Sequence, residues 1–531
     1  MNQGFEKGST YDYIVVGTGP AGSVLTKKLS DDNRNSVLAL EAGGNFSNSQ
    51  LVRDSQFAVP ILLFQDFSPQ FYIPGNGTPQ RGAAGRTFPW TGGRLLGGGS
   101  SVNNQQYVRP SAAVMGEWER LLGPIWSPEE ETRHFKELEK YNGETTNPAA
   151  RGYHGRLNIR QTQVNPTDMT KKITEAISEA TGFPEILDYN DPRTPLGPFT
   201  SYQLYQRPNG VRESADTAFL SKDIMTPDGY GVDGRNLRVS FRSTATRVLF
   251  DRNEAIGVEY INAGRSMRAF ARKKVILSAG ISSVPILMHS GIGPADELAN
   301  YNISIVFDNP NVGRHYADHP SVVATFTKNP NDRAYPANDP YSLYAGGAFL
   351  PDPTPGSNRN RRGIQMFAME VSDDQMVIGA IMLQPKSRGR AIIQDNDPLK
   401  IILGDHGYLT NRADLDTLKY TYKVYIKEIA RHLAAIDPHY RLISPSLDII
   451  NDDAKLEQYI KENLGNGFHP QSMNRMGRGP EDSVVDARGH VHGVRNLVVA
   501  DDTIIPYSVD GNTSAPSFLI GSTIADQLLM E

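Results

Sequence analysis

Apolar positions recur along this chain with two periods, and the changes of period mark its elements. Residues 13–16 form a short apolar run, residues 21–29 have helical spacing, and Val37–Leu40 is a second apolar run closed by Glu41. Short all-apolar runs bounded by turn residues predict strands buried on both faces, as in a parallel sheet covered by helices. Residues 236–261 read as β-rich with a turn at 251–254, and 274–277 as another short buried strand. Leu415, Leu418, Tyr422, Tyr425, Ile429 and Leu433 keep 3–4 spacing, which predicts one amphipathic helix over 412–434. Asn165 reads as an N-cap with Pro166 at the first helical position; Met169, Ile173, Ile177 and Ala180 line one face and Gly182 ends it. A buried strand at 497–500 and a helix at 516–530 close the chain. The region 320–405 mixes short strands with Pro- and Asn-rich loops, and its basic stretch 359–362 reads as a solvated tip.

A strand that returns so late predicts a discontinuous sheet with other material inserted between its pieces. The expected organisation is α/β, with 1–157, 212–315 and 466–531 forming a dinucleotide-binding domain. Residues 158–211 and 316–465 then form an inserted α+β substrate domain, an antiparallel sheet with helices. A length of 531 residues suits two domains.

Composition narrows the function. The chain has 54 Lys and Arg against 59 Asp and Glu, a net charge of −5, so it lacks the basic excess of a nucleic-acid binder. It has no cysteine, which removes disulfides, thiolate metal sites and cysteine nucleophiles. The first ten residues are polar and lack the apolar core of a secretory signal. No run reaches the roughly 18 apolar residues that span a bilayer, so a soluble, cytoplasmic protein is expected. His490 and His492 are two apart but have no third ligand beside them, and no metal site is expected.

The turn after the first strand reads Gly17-Thr18-Gly19-Pro20-Ala21-Gly22, a complete G-x-G-x-x-G. With Glu41 at the end of the second strand, it forms a dinucleotide fingerprint. Gly17 permits the tight turn, Gly19 lets backbone approach a pyrophosphate, and Gly22 allows close helix–strand packing. The helix N-terminus offers N–H groups to phosphate. An acidic Glu41 favours a free ribose 2′-hydroxyl, hence NAD or FAD over NADP. Residues 91–103 (TGGRLLGGGSSVN), with Tyr107 and Arg109 beyond, supply a small-residue loop that can lie flat against a planar ring.

At these residues the chain resembles the glucose–methanol–choline (GMC) family of FAD-dependent oxidoreductases, over nearly its whole length. Residues 93–103 are similar to the family's first signature and 278–293 to its second. Residues 312–320 (VGRHYADHP) resemble a third block, and 498–513 the last. The resemblance implies FAD and oxidation of an alcohol, with oxygen or another acceptor taking the electrons. Its catalytic pair falls on His469 and Asn512. His469 would accept the hydroxyl proton, a role suited to an imidazole, and Asn512 would orient the substrate oxygen. Implied cofactor contacts are Gly17, Gly19, Gly22, Glu41, Arg94, Gly98, Ser101, Asn103, Ala245 and Asp501. Phe468 would border the substrate site and favour an apolar or aromatic alcohol. His315 and His319 lie in a family block and read as structural or near the cofactor.

Two departures stand out. Val102 occupies the position where relatives with a covalent flavin carry histidine, which implies non-covalent FAD. The segment after His469 keeps Arg475-Met476-Gly477 but has Ser472-Met473 where the family pattern has Gly-Thr. An alternative activity within the same resemblance is an FAD-containing hydroxynitrile lyase, which cleaves cyanohydrins without net redox.

Overall fold

The computed structural model describes residues 9–58, 69–163, 165–193, 196–400 and 402–531. Most of the polar N-terminal stretch therefore lies outside the described residues. Strand Ser9–Val16 is the axis of a seven-stranded sheet. It pairs in parallel with Val37–Leu40 on one side and with Arg265–Leu277 on the other. Leu237–Ser240 continues the parallel order beyond Val37–Leu40, and Leu497–Val499 pairs in parallel with the end of Arg265–Leu277. The long strand Arg265–Leu277 also carries an antiparallel meander, Ser243–Asp251 and Glu254–Asn262, on its first half.

The apolar runs form strands here because both sheet faces are covered. Ile14, Val15, Val37, Ala39, Val275 and Ile276 have no exposed surface. Helix Pro20–Ser30 packs against Ser514–Met530, the chain's last helix. At their crossing a Cβ on Gly521 would fall 2.6 Å from the Ala21 Cα, so only glycine permits this approach. The last helix is buried along nearly its whole length, which is why its residues show no amphipathic stripe.

Register sets where the chemistry can occur. Val16 lies opposite both Leu40 and Leu277, and Leu277 lies opposite Val499. The strands therefore end together, and Gly17, Glu41, Ser278 and Ala500 emerge along one edge. Ligands bind in such crevices outside the carboxyl ends of parallel strands.

A second seven-stranded sheet is antiparallel. Its path runs Leu442–Ser444, Pro320–Thr327, Gln375–Met382, Ile364–Glu370, Gly347–Leu350 and Gly197–Phe199. Helices Asp168–Thr181 and Lys427–Ile436 pack on each other and share a core with this sheet. The α/β architecture with an antiparallel second sheet is the one expected from the sequence.

Three local expectations change. The cap of the helix expected from Asn165 is Thr167, whose hydroxyl accepts from the Thr170 N–H at 3.2 Å. A hydroxyl two residues beyond Asn165 caps the first turn directly, while Gly182 ends the helix in the left-handed region as expected. The rod expected over 412–434 spans Arg412–Tyr420 and Lys427–Ile436 around a π-helical turn at Thr421–Ile426. Tyr422, Tyr425 and Ile426 are all buried across that turn.

The basic tip is only half a tip. Arg359 is exposed, but Arg362 is 2% exposed. Its guanidinium donates to the main-chain carbonyls of Arg109 and Tyr189 and lies 4.3 Å over the Phe349 ring. These two buried carbonyls, together with an aromatic face, draw the charge inward. Arg361 is half-buried and forks onto Glu117 at 2.6 and 3.0 Å.

Candidate active site

The parallel strand ends open into a cavity of about 680 Å³. Two glycine loops build its floor. Gly17 has φ +95°, and a Cβ there would fall 2.5 Å from the Ser278 carbonyl oxygen. A Cβ on Gly22 would fall 2.1 Å from the Gly17 carbonyl oxygen, so Gly22 sits beneath the turn and does not line the cavity. Gly19 is the reverse case, because nothing lies within 4 Å of its Cβ position. Gly98, at φ +54°, lies with its Cβ position 2.7 Å from the Gly19 Cα, so the second loop rests directly on the first.

This bare backbone suits a dinucleotide. Gly19 caps helix Pro20–Ser30 without any side-chain hydrogen bond, so the first-turn N–H groups face the cavity unmasked. An elongated diphosphate fits there by the helix-terminus rule. Glu41 is buried and lines the same cavity. Its carboxylate accepts from Thr18 N–H at 3.2 Å, from the Thr18 hydroxyl and from Gly43 N–H at 2.8 Å. Burial pushes its pKa up and these donors pull it down. Its oxygens keep lone pairs for a ribose hydroxyl.

The remaining expected contacts divide. Arg94, Gly98, Asn103, Ala245 and Asp501 line the cavity. Ser101 does not, because its hydroxyl donates to the Leu96 carbonyl at 2.9 Å. Asp501 lines the cavity with a carboxylate already filled. Gly280 N–H and the Ser283 hydroxyl donate to one oxygen, Thr503 N–H and hydroxyl to the other. Burial nevertheless pushes its pKa up to about 6. Arg212 was not among the expected residues. It is fully buried and donates to the carbonyls of Val52, Ser100 and Asn103, pinning the glycine-rich loop from below.

At the other end of the cavity His469 and Asn512 meet. Asn512 Nδ2 lies 2.9 Å from His469 Nε2. Asn512 Oδ1 accepts from Gln365 Nε2 at 3.1 Å, and this assigns the amide orientation. The donor toward His469 is then the NH2 group, so His469 Nε2 is an acceptor and its proton sits on Nδ1. That nitrogen lies 2.9 Å from His319 Nδ1, which accepts it. His319 Nε2 lies 3.0 Å from Ser508 Oγ and 3.3 Å from Gln471 Nε2. At 2.9 Å the facing Nδ1 atoms have room for one proton between them, so the two rings are not both protonated.

Burial enforces that state. It pushes His469 down to about 4, and it holds His319 well below the usual imidazole range with help from His469. Beneath them Asp318 Oδ1 accepts the main-chain N–H groups of His319 and His469, at 2.7 and 2.8 Å. Its Oδ2 accepts the hydroxyls of Tyr408 at 2.6 Å and Tyr316 at 3.2 Å. His315 stands apart, bonded to Asn311 at 3.2 Å. The Asp-His step of 312–320 was visible in sequence, but the contact from His319 to His469 spans 150 residues and leaves no local pattern.

Phe468 borders the pair and is half-buried, with φ +57°. Val102 is buried beside Val52, Phe71, Tyr72 and Leu95. His490 meets Asp486 and Glu531, whereas His492 meets Ser483, so the two histidines do not converge. Among the described residues His134, Glu137 and Asp526 bring ligand atoms within 4.8 Å. Lys28 and Arg133 already ion-pair with both carboxylates, so that cluster is compensated by charge. Among the described residues no helix is long and apolar enough to cross a membrane.

The N-terminal GMC oxidoreductase family model matches residues 11–321 and the C-terminal one residues 385–521. An uncharacterised GMC-type oxidoreductase of Mycobacterium tuberculosis is 31% identical over 97% of this chain and 98% of its own length. An oxygen-dependent choline dehydrogenase of Pseudomonas savastanoi is 28% identical over 98% of this chain and 94% of its own. The crystal structure of pyridoxine 4-oxidase from "Mesorbium loti" superposes with a TM-score of 0.85 at 24% identity, covering 98% of this chain and 99% of that one.

The altered segment after His469 carries a cost. Ser472 stands at φ +73°, and its buried hydroxyl has no hydrogen-bond partner. A non-glycine residue in the left-handed region costs about 1–2 kcal/mol, and glycine removes both penalties. Ser472→Gly is expected to stabilise the protein by about 1 kcal/mol, read as a higher denaturant midpoint. An unchanged or lower midpoint would mean that the hydroxyl has a stabilising role.

Proposed function

The chain belongs to the GMC oxidoreductase family, and on that premise we propose that it oxidises a primary or secondary alcohol to the carbonyl with FAD. The observation that carries this reading is the 2.9 Å contact of buried His469 with Asn512. Its Nε2 faces the Asn512 amide at the end of a cavity whose other end is cut for a dinucleotide. Backbone at Gly17, Gly19 and Gly98, with Glu41 and Asn103, would hold the cofactor. Bound FAD supplies the hydride acceptor.

The chain's own residues do the acid–base work. A substrate hydroxyl takes the place of the direct Asn512–His469 contact. Its O–H donates to His469 Nε2 while its oxygen accepts from Asn512 Nδ2. Proton transfer to Nε2 raises the electron density on the carbinol oxygen, which makes the adjacent C–H a better hydride donor. His319 and Asp318 do not touch the substrate in this scheme. They fix the tautomer and the ring plane. Electrons then leave to oxygen or another acceptor. With valine at position 102 and no histidine there, FAD is held without a covalent bond.

Anaerobic mixing of the purified flavoprotein with alcohols is expected to bleach the visible flavin band. His469→Ala should slow that bleaching by about 10²–10⁴-fold, the usual contribution of a general base, with the flavin still bound. A bound flavin that no alcohol bleaches, with cyanohydrins cleaved instead, would replace this reading with the lyase. Acid precipitation should leave the flavin in the supernatant; a yellow pellet would show a covalent link.

A further inference from the structure

An alcohol oxygen poised to lose its proton has to meet a hydrogen-bond donor. The side-chain amide of Asn512 carries a donor on one side and an acceptor on the other. The two sides have nearly the same shape, so packing does not tell them apart, and hydrogen-bond partners decide which way the amide faces. His469 Nε2, 2.9 Å from Asn512 Nδ2, is not sufficient for this, because an imidazole nitrogen accepts in one tautomer and donates in the other. A partner whose polarity is set elsewhere is needed.

Gln365 meets that need. It stands in strand Ile364–Glu370 of the antiparallel sheet, opposite Phe349 on one side and Ile381 on the other, and it has no exposed surface. Its Nε2 donates to Asn512 Oδ1 at 3.1 Å and to Gln106 Oε1 at 2.6 Å. An NH2 group has two hydrogens, so both acceptors are served at once. Gln106 lies just beyond the glycine-rich loop and lines the cavity, as Asn512 does. The glycine-rich loop, the second sheet and the C-terminal catalytic segment therefore meet at one nitrogen.

The other half of the Gln365 amide points to the same role. Its Oε1 is buried and has no hydrogen-bond partner. A buried acceptor left in this way is costly. Methionine has a similar length, adapts readily to core gaps and would occupy this position without the orphaned oxygen. What glutamine supplies and methionine lacks is the pair of N–H donors on Gln106 and Asn512.

We propose that Gln365 is a positioning residue for the reaction. It holds Asn512 with Nδ2 toward the carbinol oxygen, and Gln106 ties that setting to the loop that would bear the cofactor. The inference rests on the alcohol-oxidising reading above. As the hydroxyl proton passes to His469 Nε2, negative charge gathers on the carbinol oxygen and the bond from Asn512 Nδ2 strengthens. A turned amide would set the Asn512 Oδ1 lone pairs against that charge. Because the bond grows toward the transition state, its loss falls on kcat more than on KM.

The test follows anaerobic flavin reduction in the holoenzyme at pH 8 with ethanol, 1-butanol, benzyl alcohol, choline and glucose, and then uses the alcohol that reduces the wild type fastest. Gln365→Met should slow reduction about ten-fold and change the half-saturating alcohol concentration less than about three-fold, since the freed amide still samples the productive orientation. Gln365→Glu keeps the length but offers only acceptors. It should draw Asn512 Nδ2 away from the substrate and cost about 10²–10³-fold, as much as Asn512→Ala. In the Asn512→Ala background neither Gln365 variant should slow reduction further. A wild-type rate in Gln365→Glu would overturn the inference. Losses of the same size with and without Asn512 would also overturn it, because they mark a packing role. If Gln365→Met does not hold flavin, Gln365→Glu with and without Asn512 decides. If no alcohol reduces the wild-type flavin, the alcohol-oxidising reading and this inference fall together.

Discussion

Everything at the reactive end depends on the carboxylate of Asp318. One oxygen takes two main-chain N–H groups, from His319 and His469, and the other takes two tyrosine hydroxyls. These four donors come from three separate stretches of chain. Burial raises the carboxyl pKa, and the same four donors oppose that rise. A buried acceptor with this many donors is expensive to leave unsatisfied, so the three stretches cannot drift apart. The direct bond between the His319 and His469 rings follows from that constraint, as does the aim of His469 Nε2 into the cavity.

The second determinant is the burial of His469. Burial is the cause of its lowered pKa, and among the described residues no carboxylate pairs with the ring. An imidazole paired directly with aspartate would be held closer to its protonated form. Here the ring stays neutral and waits for a proton.

The nucleotide end was largely legible in the sequence, because its requirements are local. Gly17, Gly19 and Gly22 act within one turn, and Glu41 ends the adjacent strand. The apolar runs 13–16 and Val37–Leu40 emerged as buried strands since nothing competes with sheet burial on both faces. His469 and Asn512 were reachable through blocks of conserved type in the family resemblance, and the structure brings them to 2.9 Å. Other features were hidden for identifiable reasons. Gln365 occupies an ordinary strand whose face is decided by its register against Gln375–Met382. Arg362 looked like part of a solvated tip because buried carbonyl acceptors leave no mark in sequence. Thr167 displaced Asn165 as cap because the two candidates differ by half a turn and geometry alone decides between them.

The central claim is that His469 is a neutral base at working pH. Titration of 13C-labelled histidine by NMR in the holoenzyme tests it directly, with the His469 signal assigned by its loss in His469→Gln. The ring should keep the neutral shift from pH 8 down to about 5 and protonate only near 4. Protonation at or above the ordinary imidazole value of about 6.5 would contradict the account, because the base would then be charged over much of the physiological range.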